Sequence, residues 1–172
     1  MARPRARLSL KGRALQLLAQ RDQSRLELRG KLLRYAAAEA RARAADADDG
    51  AGGAKDEPDE EGDRRHAEVE ALLDWLEANR FLSAERFAES RVHAREARFG
   101  NRRIRAELAQ HGVILTAEAA QALAESELQR AAAVRERRFR EPPRDAGERA
   151  AQARFLAGRG FSPEVIQRVL RR

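Results

Sequence analysis

Leu108-Ala-Gln-His-Gly112-Val113 and Leu156-Ala-Gly-Arg-Gly160-Phe161 share one spacing, Leu-x-x-x-Gly-apolar, and that spacing decides the fold. In both, the glycine stands where an apolar helical pattern stops, the place where helices commonly end. Each is followed by a capping residue, Thr116 or Ser162, and then by a new apolar-periodic stretch, with Pro163 at a first helical position. A repeated helix end followed by a repeated helix start implies tandem helical units.

Outward from these two segments the periodicity is helical throughout. Val69, Leu72, Leu73 and Leu76 fall at i, i+3, i+4, i+7, and Leu128, Ala132, Arg135 and Phe139 at i, i+4, i+7, i+11. No stretch alternates with period two for long enough to make a strand, so the expected fold is all-α. Ser24 with Glu27 forms a capping box, while Ser83, Asn101 and Asp145 are further N-cap candidates, and about nine helices follow. They group as three tandem three-helix repeats, residues 9–78, 79–126 and 127–172, behind a basic arm at 1–8. Repeats of this kind bury their faces against neighbours, which predicts an elongated, curved solenoid of helices set at right angles.

Charge is distributed in blocks. The chain of 172 residues has 35 Lys+Arg and 28 Asp+Glu, net +7. Residues 1–45 contribute +9, residues 46–63 contribute −8 and residues 64–172 contribute +6. The acidic, glycine-rich block predicts a disordered insertion over 36–64 inside the first repeat; as a flexible coil it would span roughly 30 Å. The basic residues are 32 Arg and 3 Lys, so placement rather than number has to carry any argument about partners.

Sites for catalysis are poorly supported. There is no cysteine, hence no disulfide, thiolate metal site or Cys nucleophile. His66, His93 and His111 lack metal-binding spacing, and Gly50-Ala-Gly-Gly-Ala-Lys55 lacks both the spacing and the preceding strand of a phosphate loop. Asp74 and Glu77 read as a solvated face, and His111 as a helix-end residue. No run approaches the about 18 apolar residues of a membrane span, and Met1 to Ser9 has no signal-peptide core. The expectation is a soluble, cytoplasmic, monomeric protein with no enzymatic activity, no cofactor and no metal.

The informative feature is arginine placement. Arg91, Arg95 and Arg98 recur at spacings of four and three, and Arg102, Arg103 and Arg105 follow just past Gly100-Asn101. Parallel clusters stand at Arg25, Arg29 and Lys31 and at Arg135, Arg137, Arg138 and Arg140. Arginine forks take phosphate oxygens bidentately, so these predict a basic track for DNA or an acidic partner, unless Glu89, Glu96 and Glu107 neutralise it. Aromatic residues are too few beside the clusters to indicate base stacking. Two further functions fit the same residues: a stand-alone DNA-binding protein whose helix near Asn101 enters a groove, and a helical adaptor for an acidic protein.

Four segments in order carry a family resemblance: Arg21-Asp-Gln-Ser24 with Glu27-Leu28-Arg-Gly-Lys31-Leu32; Leu73-Asp-Trp-Leu-Glu-Ala-Asn-Arg-Phe-Leu82 running into Arg86-Phe87-Ala88; Gly100-Asn-Arg-Arg-Ile-Arg-Ala-Glu-Leu108 with His-Gly-Val113; and Arg154-Phe-Leu-Ala-Gly-Arg-Gly-Phe161. Together they resemble the RecX family of recombination regulators. The resemblance implies three three-helix repeats without catalysis, and a protein that lodges in the groove of the RecA filament on single-stranded DNA. There it would suppress ATP hydrolysis, strand exchange and co-protease activity; duplex DNA is a further expected partner. It also implies that Arg102, Arg103 and Arg105 face partner or DNA while Ile104 and Leu108 pack. Ser83-Ala84 stands where the family usually has an acidic pair.

Overall fold

Short motifs in the sequence mark where the chain turns. The structure, a computed structural model, describes residues 8–47 and 60–171, and among these residues there are eight helices and no strand. They are α1 (Leu10–Gln20), α2 (Arg25–Ala47), α3 (Glu60–Ala78), α4 (Ala84–Glu96), α5 (Asn101–Gln110), α6 (Ala117–Arg138), α7 (Ala146–Gly158) and α8 (Pro163–Leu170). The all-α expectation holds. The chain divides between Ala84 and Glu85 into two compact units.

Helix starts are fastened by side chains. Ser9, Ser24, Thr116 and Asp145 each accept a hydrogen bond from the backbone N–H three residues on, at 3.1, 3.1, 3.2 and 2.7 Å. These satisfy donors that a helix leaves unpaired in its first turn. Asn101 is not a cap: Gly100 holds that position, and the Asn101 side chain is turned inward to accept from Arg130.

Helix ends are equally uniform. Val113 N donates to Leu108 O at 3.0 Å and Gly112 N to Ala109 O at 2.9 Å; Phe161 N donates to Leu156 O at 3.2 Å and Gly160 N to Ala157 O at 2.9 Å. Gly112 and Gly160 have φ of 68° and 82°, the left-handed residue this double-bonded ending requires. A third copy exists that the glycine pattern does not reveal. Phe81 N donates to Leu76 O at 2.9 Å and Arg80 N to Glu77 O at 3.0 Å, with Arg80 at φ 60° in the place of the glycine.

The first unit packs α2 against α1 and α3. Its core is Ala14, Leu28, Leu32, Val69, Leu73, Leu76 and Leu82, and each fully buried leucine contributes about 1.5–3 kcal/mol. The expected disordered insertion over 36–64 is corrected at both flanks. Residues 36–47 continue α2, because Ala36-Ala-Ala-Glu-Ala-Arg-Ala-Arg-Ala-Ala has very high helix propensity. Residues 60–64 begin α3, whose first turn places Glu60, Glu61 and Asp63 at the positive end of the helix dipole. The middle of the insertion, 48–59, and most of the basic arm, 1–7, lie outside the described residues.

The second unit holds two cores threaded by one helix. Phe87, Phe99, Ile104, Leu108, Val113 and Leu123 form one; Ala131, Val134, Leu156, Phe161, Ile166 and Val169 form the other. Leu123 and Val134 both belong to α6, so no helix break falls at 126/127, and the described residues form eight helices where about nine were expected for the chain. Ala117–Arg138 contains neither glycine nor proline, and Ser126 stays helical, its hydroxyl donating to Leu123 O at 3.2 Å.

Candidate partner and nucleic-acid interface

The first basic cluster is engaged within its own unit. Arg25 reaches Glu70, Asp74 and Glu77 of α3 at 2.7, 2.8 and 2.7 Å; Arg29 pairs with Glu70, and Lys31 with Glu27 at 2.9 Å. Burial acts upward on the Glu27 carboxyl but is outweighed by hydrogen bonds from Arg21 and Lys31, which hold it down to about 2. Hydrogen bonds from Arg29 and Arg25 hold Glu70 below the usual carboxylate range. Asp74 and Glu77, read from sequence as a solvated face, are thus counter-charges that fasten α3 to α2. Residues 1–84 carry 16 Lys+Arg and 16 Asp+Glu, so this unit has no net charge.

A prediction follows for Arg25. The pairs are a third or more exposed and screened by solvent, so Arg25→Ala should lower stability by only about 1 kcal/mol. Affinity for single-stranded DNA should stay within about twofold, since a cation that already has three carboxylates contributes few counterions to release. Urea unfolding and fluorescence anisotropy of a labelled oligothymidylate check both halves; a large loss of DNA affinity would return Arg25 to the binding surface.

The whole net charge of +7 lies in the second unit, whose residues 85–172 hold 19 Lys+Arg and 12 Asp+Glu. Two of the expected arginines share a single counter-charge there. Arg91 and Arg95 converge on Glu107 at 3.3 and 2.9 Å. Arg135 is mostly buried, 11% exposed, with only Glu136 at 3.7 Å. The helical stripe expected through Arg91, Arg95 and Arg98 stops short, because α4 ends at Glu96 and Arg98 sits in the turn whose Phe99 N donates to Arg95 O.

What remains is a set of arginines with no carboxylate partner among the described residues: Arg98, Arg102, Arg103, Arg105, Arg137, Arg138, Arg140 and, unanticipated from sequence, Arg159. Arg102, Arg103 and Arg105 are exposed on α5. Four others share one groove of about 310 Å³, where Arg98, Arg137, Arg138 and Arg159 stand around apolar Ala97, Val134 and Phe155 and no acid lines the wall. Aromatic faces and carbonyls hold them. Arg103, Arg98 and Arg159 lie 4.2, 5.6 and 5.7 Å from the Phe99 ring centre, and Arg159 also lies 5.1 Å from that of Phe155. Arg137 donates to Ala97 O at 2.9 Å. Such cation–aromatic contacts orient a guanidinium without neutralising it.

A buried polar junction positions this surface. Glu127, 4% exposed, accepts from Asn101 N and Ser162 N at 3.1 Å each and from Ser162 Oγ at 3.0 Å, so one carboxylate caps both α5 and α8. One turn along α6, Arg130 donates to Phe99 O at 2.9 Å, Glu96 O at 3.2 Å, Leu123 O at 2.9 Å and the Asn101 side chain. Burial lowers the Arg130 pKa, against the opposing charges of Glu127 and Glu96. The backbones of two turns then touch: Gly100 N donates to Arg159 O at 2.9 Å and Arg102 N to Gly160 O at 3.0 Å. Arg98, Arg103 and Arg159 all hang from this contact.

The other titratable groups are arranged without a reactive cluster. His93 is highly exposed and 3.7 Å from Glu96, not from Glu89, and His111 packs edge-on against Phe87 with Arg91 at 3.4 Å. Among the described residues no group of three or more His, Asp or Glu could hold a metal ion, and no helix is long and apolar enough to cross a membrane.

The two halves of the second unit match known domains separately. Residues 85–113 match the second three-helix domain of RecX, and residues 125–170 match its third. Over 95% of its length the chain is 46% identical to the regulatory protein RecX of Herbaspirillum seropedicae, covering 90% of that protein. The chain belongs to the RecX family. It is also 44% identical to the regulatory protein RecX of Ralstonia nicotianae, over 99% of this chain and 91% of that one. A crystal structure of RecX from Lactobacillus salivarius shares the helical fold, with a TM-score of 0.61 at 16% identity over 94% of this chain and 92% of its own. The match to the third RecX domain begins inside α6, the helix that threads the two cores.

Proposed function

We propose that this RecX-family chain is a non-enzymatic modulator of the RecA recombinase: it binds the RecA filament on single-stranded DNA and restrains ATP hydrolysis, strand exchange and co-protease activity by limiting filament growth or promoting disassembly. The near full-length similarity to regulatory RecX proteins carries this reading. Concentration of the net charge on the second unit, on arginines without acid partners, supports it, since a filament wrapped on DNA is a polyanion. The protein would act as a cytoplasmic monomer.

DNA-dependent ATP hydrolysis by RecA is the direct test. Substoichiometric amounts of the chain should lower the steady-state rate several-fold, because one bound regulator affects many filament subunits. Unchanged hydrolysis at equimolar protein would refute the proposal. A groove-reading helix at Asn101 is less well supported: Asn101 is buried at 6% and its N–H is taken by Glu127, which closes the first turn that such a helix presents to bases.

A further inference from the structure

We infer that the groove formed by Arg98, Arg137, Arg138 and Arg159 is a phosphodiester-binding site that takes the backbone of a single DNA strand. Placing four guanidinium groups around about 310 Å³ without one lining carboxylate is unfavourable in an isolated protein, because like charges repel. Other arginines do find carboxylates: Arg25 has three, and Arg91 and Arg95 share Glu107. What sets the groove apart is that it gathers four guanidinium groups around one depression with no acid in its lining, a repulsion that an anion bound there would relieve.

The chemistry favours phosphate. Arg98 and Arg159 are steadied over Phe99, Arg138 lies over Phe139 at 5.4 Å, and Arg137 is tied to Ala97 O and Ala133 O. The side chains of Arg98, Arg138 and Arg159 donate no hydrogen bond within the described residues, so their forks remain available to the two free oxygens of a phosphodiester. The volume is at the low end for ligand sites, which suits a short stretch of phosphodiester backbone. Unpaired Arg102, Arg103 and Arg105 on α5 supply further positive charge in the same unit, as a polymer with one charge per nucleotide requires. An acidic protein segment would present isolated carboxylates and gain from apolar surface, which here is small.

The inference rests on the regulatory reading in taking the filament's single strand as the ligand, and its test omits RecA. Binding of a labelled oligothymidylate by the full chain is measured between about 50 and 200 mM salt. Arg98→Ala with Arg138→Ala should weaken binding about tenfold at the lower salt and reduce the slope of log K against log salt by about 1.4, two phosphates' worth on a single strand. Arg98→Glu with Arg138→Glu should weaken it further, whereas Arg154→Ala with Arg168→Ala, removing the same charge elsewhere on the unit, should leave the slope unchanged. Far-UV circular dichroism establishes that all three variants are folded.

Equal losses in the groove and control variants would overturn the assignment, because only the general field would then matter. So would wild-type DNA binding in the groove variants accompanied by lost inhibition of RecA, which would assign the groove to an acidic protein segment. Weakened DNA binding in the groove variants, with RecA indifferent to the wild-type chain, would refute the regulatory proposal and leave the groove assignment standing.

Discussion

Gly100→Ala is expected to destabilise the second unit by about 3–5 kcal/mol, although Gly100 has an ordinary backbone conformation, φ −81° and ψ 169°. The obstacle is contact, not torsion. A Cβ on Gly100 would lie 2.2 Å from Phe161 N, 2.3 Å from Phe161 Cα and 2.4 Å from Gly160 C, all backbone atoms that have no rotamer in which to escape. Ordinary contact begins near 3.4 Å, so the two turns must separate by more than 1 Å. That breaks the bonds from Gly100 N to Arg159 O and from Arg102 N to Gly160 O, each worth about 1 kcal/mol, and loosens Ile104 and Phe161 on either side.

Two other glycines calibrate the result. Gly112→Ala meets nothing within 4 Å but keeps φ at 68°, and should cost about 1 kcal/mol. Gly158→Ala meets nothing either and lies within α7, so it should be neutral or stabilising by up to about 1 kcal/mol. Urea midpoints followed by far-UV circular dichroism give the order. If Gly100→Ala matched Gly158→Ala, the close approach of the two turns would be wrong. DNA binding should fall together with stability in Gly100→Ala alone, because Arg98, Arg103 and Arg159 are placed by that approach.

The glycine comparison also explains what the sequence could disclose. Helix ends at Gly112 and Gly160 are legible because a glycine at the end of an apolar repeat has few other uses. The equivalent end at Leu76–Phe81 is hidden because Arg80 takes the left-handed position, and an arginine in a row of letters carries no sign of its φ. Caps at Ser24, Thr116 and Asp145 are legible because donor and acceptor lie three residues apart. Asn101 is misread for the opposite reason: its partners, Glu127 and Arg130, lie 26 and 29 residues away. No helix break falls at 126/127 because α6 contains no breaker, although the third-domain match starts at 125, two residues from the expected repeat boundary; repeat boundaries need not be helix boundaries when two cores can share one rod.

The basic surface shows the same division. Stripes of arginine were visible from helical spacing, but which arginines keep their charge depends on carboxylates brought in by folding. Arg25 and Arg29 are paired with carboxylates of α3, while Arg91 and Arg95 share the one charge of Glu107 on α5. Glu107 was a candidate neutraliser from spacing; Glu70, Asp74 and Glu77 were not, being 41 to 52 residues from their partners. Arg159 went unnoticed inside a helix-ending motif, and Phe99 steadies the guanidiniums around it.

Glu127→Ala should destabilise the second unit by about 3–5 kcal/mol, comparably to Gly100→Ala but for an electrostatic reason. The carboxylate is 4% exposed and accepts three hydrogen bonds, two of them from the N-termini of α5 and α8. Removing it strands Asn101 N and Ser162 N, each costing about 1–3 kcal/mol as an unpaired buried donor, and leaves Arg130 without a negative charge that opposes its burial. Glu127→Gln separates the two contributions: its Oε1 can still accept both backbone donors and its amide can donate to Ser162 Oγ, so only the charge is lost. That variant should cost about 1–2 kcal/mol. If Gln and Ala are equally damaging, charge between the helix dipoles and Arg130 dominates; if Gln is harmless, the acceptor geometry alone matters. A double-mutant cycle with Arg130→Gln then measures the coupling, expected at about 0.5–3 kcal/mol for groups sharing one network. Additive losses would mean that the carboxylate and the guanidinium fasten the α4–α5 turn independently, Glu127 through the backbone of α5 and α8 and Arg130 through the carbonyls of Glu96 and Phe99.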